Sequence, residues 1–166
     1  MNPFSEIRET KIEHKNGIGN KINAFEKNLK DVNKTALETN DNPEGKSAIK
    51  NKLDGLAREE EVAKELEKQY PEKEGYQILR ERELCDKDGK PVVDEQTGQK
   101  RRVDFVVVKD GKVVDMVEVT SKTAPKREQL SKEYRIRDNG GNYIKDYDGN
   151  ICRIPDNVET RVERRD

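Results

Sequence analysis

Apolar residues recur with helical spacing in one long segment, from Pro43 to Tyr70. They stand three, four or seven positions apart: Ile49, Leu53, Leu56, Ala63, Leu66 and Tyr70. This spacing is typical of a helix that buries one face. Pro43 suits the first turn of such a helix, and Pro71 ends it because proline cannot continue the backbone hydrogen bonding.

The apolar pattern changes after Pro71. A strand is predicted from Tyr76 to about Cys85, and the runs RRVDFVVV and KVVDMVEV, separated by KDG, predict two more. Residues Pro125 to Arg137 predict a second helix, and NYIKDYDGNICRIPD predicts a final hairpin. This order indicates an α/β fold in which helices flank a mixed β-sheet.

Residues 1–43 differ from the rest of the chain. They are rich in Asn and Lys, show only weak helical periodicity, and lead into the breaker run ETNDNPEG. We therefore expect a helical or weakly ordered N-terminal extension over 1–43 and a folded domain over 44–166.

The net charge of the chain limits how it could bind nucleic acid. The chain has 34 basic and 35 acidic residues in 166, so it creates no attractive long-range field for a polyanion. Any nucleic-acid binding must come from a local patch. No apolar stretch of about 18 residues and no secretory signal is present, so we expect a soluble chain without a membrane segment.

Three acidic residues interrupt apolar surfaces. Glu59 lies about 40° from the centre of the apolar stripe of the long helix, whereas Glu61 points to the polar side. Asp104 and Glu118 each interrupt a β-branched strand. The structural alternatives are a boundary glutamate paired with an arginine, and edge-strand charges that block aggregation.

Whether the two strand acids meet depends on the KDG turn. A two-residue turn at Asp110 and Gly111 would pair Asp104 with Val117 and send Asp104 and Glu118 to opposite faces. A three-residue loop would place Glu118 one diagonal step from Asp104, about 7 to 8 Å between backbone positions. We expect the three-residue loop, because only that loop would let Asp104 and Glu118 bind one metal ion. Oxygen ligands without His or Cys favour Mg²⁺ or Mn²⁺, with Zn²⁺ as the alternative.

The segments GLAREEEVAKEL, VDFVVV and MVEVTSK together resemble the PD-(D/E)XK nucleases, which have a restriction-endonuclease-like core. The resemblance covers about residues 55 to 137 and is strongest to the Holliday-junction-resolvase-like branch. It implies that Glu59, Asp104 and Glu118 bind a divalent metal ion for phosphodiester hydrolysis.

One position departs from this family pattern. Thr120 stands where the family has a lysine, and a hydroxyl group cannot supply its positive charge. Lys122 lies on the same strand face and Lys126 opens the next helix, so either could provide the ammonium group. We prefer Lys122.

A basic segment follows Glu118 and predicts contacts with nucleic-acid phosphates. Its candidate residues are Lys126, Arg127, Gln129, Lys132 and Arg135. The alternative is a solvated helix face without a ligand. Nothing in the sequence selects DNA over RNA.

The segments EVTSK and RIRDNGGNYI also resemble the C-terminal effector domains of bacterial polymorphic and contact-dependent growth inhibition toxins. This likeness implies delivery as part of a larger secreted or cell-surface protein and activity in the cytoplasm of the target cell. It also implies a DNA or tRNA substrate and a cognate immunity protein. The competing hypotheses are a housekeeping DNA-repair or resolvase-type nuclease and an inactive nucleic-acid-binding module.

Overall fold

The computed structural model describes residues 43–166, with side chains from residue 47 onward, and the isolated residues Lys27 and Lys30. The predicted extension over 1–43 therefore lies almost entirely outside the described residues. The chain divides into two compact units, Met1–Asp54 and Gly55–Asp166. The second unit contains the whole sheet.

The described elements agree with the predicted order and add one strand. Helix α1 spans Pro43–Gln69, and a short 3-10 helix covers Glu72–Glu74. The strands and the second helix follow as β1 (Tyr76–Glu83), β2 (Arg102–Lys109), β3 (Lys112–Ser121), α2 (Arg127–Asp138), β4 (Tyr143–Lys145), β5 (Ile151–Arg153) and β6 (Thr160–Arg165). The α/β class is thus confirmed. Neither described helix is long and apolar enough to cross a membrane.

The six strands form one mixed sheet. Strands β1, β2 and β3 are consecutive antiparallel neighbours. The far edge of β3 pairs in parallel with β5 near its start and with β6 along its second half, from Met116 to Ser121. Strand β4 completes the sheet as the antiparallel partner of β5.

Each helix covers one face of this sheet. On the α1 face, Val62 and Leu66 pack with Phe105, Val107 and Val117. On the opposite face, residues of β2 and β3 pack with Ile136 of α2 and with the chain around β4 and β5. Successive strand residues alternate between the faces, as a pleated sheet requires. Both faces are therefore buried, which explains the nearly continuous apolar runs of β2 and β3.

The KDG turn differs from the prediction. Asp110 and Gly111 form a two-residue turn with φ values of 50° and 72°, and Lys109 pairs with Lys112. These positive φ values are typical of the primed turns that close short hairpins. The predicted three-residue loop is wrong.

A β-bulge restores the register that the shorter turn would have lost. Val108 pairs with Val113 but Val107 pairs with Asp115, so Val114 is an extra residue in β3. The register beyond it pairs Phe105 with Val117. Its continuation makes Asp104 and Glu118 cross-strand neighbours.

Candidate active site

Glu118 lies near the end of β3 and is 3% exposed. Its Oε2 atom accepts a hydrogen bond from Nη2 of Arg101 at 2.9 Å. Its Oε1 atom accepts hydrogen bonds from Nζ of Lys126 and from Nε2 of Gln129, both at 2.9 Å. Both carboxylate oxygens are therefore bonded, one to Arg101 and the other to Lys126 and Gln129.

Arg101 connects Glu118 to the interior. Its side chain is 2% exposed, and its Nε donates to Glu133 of α2 at 3.1 Å. Its third nitrogen donates to the carbonyl oxygen of Arg102. The hydroxyl group of Thr160 on β6 donates to the other oxygen of Glu133. Because each buried charge has an opposite charge beside it, the network ties the start of β2, the end of β3, α2 and β6 together.

Asp104 lies where β2 departs from regular alternation. Val103 and Val106 are three residues apart, yet both belong to the cluster on the α2 face, which a regular strand would not allow. On the neighbouring strand, Glu81 has a φ of 50°, a left-handed conformation that is uncommon for a residue other than glycine. Asp104 therefore lies at a local irregularity shared by two strands.

The carboxyl group of Asp104 is poorly stabilised in its charged form. Burial raises its pKa to about 6, and repulsion from Glu118 raises it as well. The backbone N–H of Val119 donates to its Oδ2 at 2.8 Å and opposes this shift. No other hydrogen bond joins Asp104 to a described residue, so its Oδ1 is available to a ligand.

Glu59 is partly buried on α1. Burial raises its pKa to about 7, and repulsion from Asp104 is the second cause. Arg80 offsets this only in part, because its guanidinium is hydrogen-bonded to Glu60 at 2.9 Å. No hydrogen bond joins Glu59 to another described residue. The neighbouring arginine therefore pairs with the next glutamate along the helix, and Glu59 remains coupled to the strand acids.

The structure distinguishes the two candidate lysines. Lys122 is 62% exposed and pairs with Asp166, whereas Lys126 contacts Glu118 and is 19% exposed. The structure therefore brings Lys126, and not Lys122, to Glu118, while the role of Lys122 stays a prediction. The chain bends away after β3, so the strand alternation used in the prediction does not extend to residue 122. Thr120 is buried at 6% exposure.

The basic segment is divided between structural and available groups. The Nε and Nη2 atoms of Arg135 donate to the two carboxylate oxygens of Asp94, at 2.7 and 2.8 Å. This contact holds the pKa of Asp94 well below its usual range. Arg135 thus anchors the loop before β2, and its contact with phosphate stays a prediction. Lys132 donates to Gln99 at 3.0 Å, and Arg127 is exposed.

Sequence reasoning missed Arg101 and Glu133, the two buried charges behind Glu118. Arg101 stands in the stretch QKRRVD, next to the exposed Arg102, and nothing local separates the two. Glu133 lies one helical turn beyond Gln129, so helical spacing from a candidate residue could have identified it. Burial of Arg101 depends on partners far away in sequence, which no local pattern shows.

Across the described part of the chain, no group of three or more His, Cys, Asp or Glu side chains is arranged to hold a metal ion. Glu59, Asp104 and Glu118 are electrostatically coupled, but Glu118 is turned towards Arg101, Lys126 and Gln129. Comparison of the chain with family models, curated proteins and solved structures gave no match.

Proposed function

We propose that this chain is a metal-dependent nuclease whose catalytic carboxylates are Glu59, Asp104 and Glu118. The observation that carries the proposal is the electrostatic coupling of these three acids at one end of the sheet, with Lys126 on the last of them. Two acids with raised pKa values beside a lysine are typical of a site that handles charge. Glu118 has three side-chain donors, whereas Asp104 has one backbone donor and Glu59 has none among the described residues.

The donor set fits a divalent cation. Its oxygens are carboxylates, which Mg²⁺ and Mn²⁺ prefer, and Zn²⁺ is the weaker alternative. Repulsion from Asp104 destabilises the charged form of Glu59, and repulsion from Glu118 destabilises that of Asp104; a nearby cation would relieve both. Such an ion, when bound, would lower the pKa of a coordinated water and offset negative charge on the phosphate.

The chain's own residues have distinct parts in this proposal. Glu59, Asp104 and Glu118 hold the cation, and Arg101 fixes the orientation of Glu118 from the buried side. Lys126 supplies the ammonium group that Thr120 lacks and is the candidate partner for a phosphate oxygen. The exposed Arg127, with Lys132 and Gln129 on the same helix, would contact the nucleic-acid backbone without reading its sequence.

The fold supports the same proposal. A helix, three antiparallel strands, a second helix and a strand parallel to β3 follow one another, and this arrangement places the helix acid and both strand acids in one unit. We assign the core to the PD-(D/E)XK type on this order and on the resemblance of residues 55 to 137. The further assignment to an interbacterial toxin effector, with a cognate immunity protein, rests on resemblance alone.

A second candidate function is a nucleic-acid-binding module without catalysis. The saturated hydrogen bonding of Glu118 favours it, because a carboxylate with both oxygens occupied binds metal poorly until a donor leaves. This candidate predicts substrate binding that no divalent ion turns into cleavage.

The deciding experiment incubates the protein with plasmid DNA and with total tRNA, in Mg²⁺, Mn²⁺, Zn²⁺ or chelator. Asp104→Asn and Glu59→Gln are compared with the matched controls Asp110→Asn, in the exposed turn, and Glu61→Gln, on the exposed side of α1. We expect cleavage with Mg²⁺ or Mn²⁺, a loss of at least about 100-fold in the first two variants, and little change in the controls.

Two results would count against the proposal. Cleavage that persists in chelator, or that survives Asp104→Asn, would remove the metal site. Substrates left intact in every metal, with measurable binding, would favour the binding module. Expression of the wild type without a protector separates a toxin, which should arrest bacterial growth, from a housekeeping nuclease, which should be tolerated.

A further inference from the structure

The two cations that bind Glu118 are held very differently. Arg101 is 2% exposed and uses all three guanidinium nitrogens, on Glu118, Glu133 and the carbonyl oxygen of Arg102. Lys126 is 19% exposed and has only Gln129 as a second partner, at 2.9 Å. Removing Arg101 from its position would break buried contacts on three groups, whereas Lys126 can leave towards solvent.

The two cations also occupy different oxygens. Arg101 binds Oε2, on the interior side, and Lys126 binds Oε1. Asp104 is electrostatically coupled to Glu118 and to Lys126. Because Arg101 holds Oε2, a cation shared by Asp104 and Glu118 would bind Oε1, which the Lys126 ammonium group occupies in this structure, and two cations in one place repel each other.

We propose that Lys126 is an exchangeable cation: it occupies Oε1 of Glu118 until a divalent ion binds, while Arg101 keeps Oε2 throughout. This inference rests on the proposed nuclease function. It assigns Arg101 as a positioning residue for Glu118. It also gives Lys126 two positions, one that neutralises Glu118 in the absence of metal and one that leaves its ammonium group free for phosphate.

The exchange also explains the saturated Glu118. A buried carboxylate without a partner is costly, so a metal-free site requires a temporary donor. An ammonium group on a flexible stem can serve in this way, because it makes point-charge contacts and needs no fixed planar geometry. The planar guanidinium of Arg101 suits the permanent contact for the opposite reason.

The experiment measures Mn²⁺ binding by calorimetry, without nucleic acid, for the wild type, Lys126→Met and Arg127→Met. Arg127→Met is the matched control, because it removes one positive charge from the adjacent, exposed position. If Lys126 competes with the ion, its removal should tighten Mn²⁺ binding by about fivefold or more, while the control stays within about twofold.

A second measurement uses the wild type alone. The rate at which an amine-reactive reagent labels Lys126 is followed by mass spectrometry with and without Mn²⁺, with Lys100 as an internal reference, since Lys100 is already 52% exposed. If the ion displaces Lys126, the labelling rate of Lys126 should rise by about threefold or more because its ammonium group loses its contacts. The labelling rate of Lys100 should not change. A general charge effect would not change labelling at one lysine.

The outcomes separate this inference from the nuclease proposal. If the wild type binds Mn²⁺ but Lys126→Met behaves like Arg127→Met, or labelling at Lys126 does not rise, the exchange is wrong and the nuclease proposal stands. If neither the wild type nor Lys126→Met binds Mn²⁺, both are wrong. Tighter binding together with faster labelling supports the exchange.

Discussion

The two halves of the acidic site differ in how their charges are stabilised. Glu118 has Arg101 on one oxygen and Lys126 with Gln129 on the other, all within hydrogen-bonding distance. Asp104 has a single backbone donor, and its pKa is raised to about 6. Glu59 has no hydrogen bond from the described residues, and its pKa is raised to about 7.

This difference indicates that Glu118 supports the fold, whereas Asp104 and Glu59 are the more reactive acids. A buried charge with full hydrogen bonding stabilises the fold. Removing one partner leaves the other charge unpaired in the low-dielectric interior. A partly buried acid without donors destabilises the fold when ionised and is available to an incoming cation. The same site therefore contains a rigid half, which is fully hydrogen-bonded, and a second half with a single backbone donor.

The largest effect is expected for Arg101→Met, which tests the rigid half. It leaves Glu118 and Glu133 without their shared cation, so the free energy of unfolding should fall by about 3–5 kcal/mol. Urea unfolding measures this loss. Arg102→Met is the control, since Arg102 is 61% exposed and makes only a 3.8 Å contact. A loss below about 1 kcal/mol for Arg101→Met would show that the network contributes little to stability.

A smaller effect of opposite sign is expected for Glu59→Gln. Because folding raises the pKa of Glu59 from 4.5 to about 7, the folded state retains a proton that the unfolded state has lost between these values. Wild-type stability therefore falls as pH rises from about 4.5 to 7, and the glutamine variant avoids this loss. After allowance for solvent screening, the variant should be more stable by about 1 kcal/mol at pH 8 and similar at pH 4.

Urea unfolding across this pH range measures the prediction, with Glu61→Gln as the control on the exposed side of the same helix. Equal pH profiles for the wild type and Glu59→Gln would show that Glu59 is well solvated. The distinction between the two halves of the site would then be lost.

The smallest effect is expected for Lys122→Met. Lys122 and Asp166 are both largely exposed, and such surface pairs contribute between about 0 and 1 kcal/mol. Its unfolding free energy should stay within about 0.5 kcal/mol of the wild type. Under the proposed function, cleavage should fall much less in this variant than in Lys126→Met. Equal losses of activity in the two variants would return the role of the family lysine to Lys122.

Local patterns predicted most of the fold. The period of apolar residues predicted α1, Pro71 predicted its end, and β-branched runs predicted β2 and β3. Strand β6 was missed because TRVERR has little apolar content, and it forms by pairing with the distant β3. Propensity does not detect a strand that depends on a tertiary partner.

The candidate site was predicted less completely, for the same physical reason. Asp104 and Glu118 were identifiable as charges within apolar strands, but their partners were not. Arg101 is buried by contacts with residues 17 and 32 positions away. The bulge at Val114 was also hidden, since Val113 and Val114 are both ordinary strand residues.

The bulge at Val114 absorbs the one residue by which β3 is longer than its partner strand requires. A regular ladder with the same turn would place Val117 opposite Asp104, so the bulge decides that Glu118 lies on that side of the sheet. Deleting Val114 would remove the extra residue and leave Val107 opposite Asp115 and Phe105 opposite Val117, so Glu118 would stay on the same side of the sheet. Shortening the hairpin by that one residue is therefore compatible with the arrangement of the acidic site.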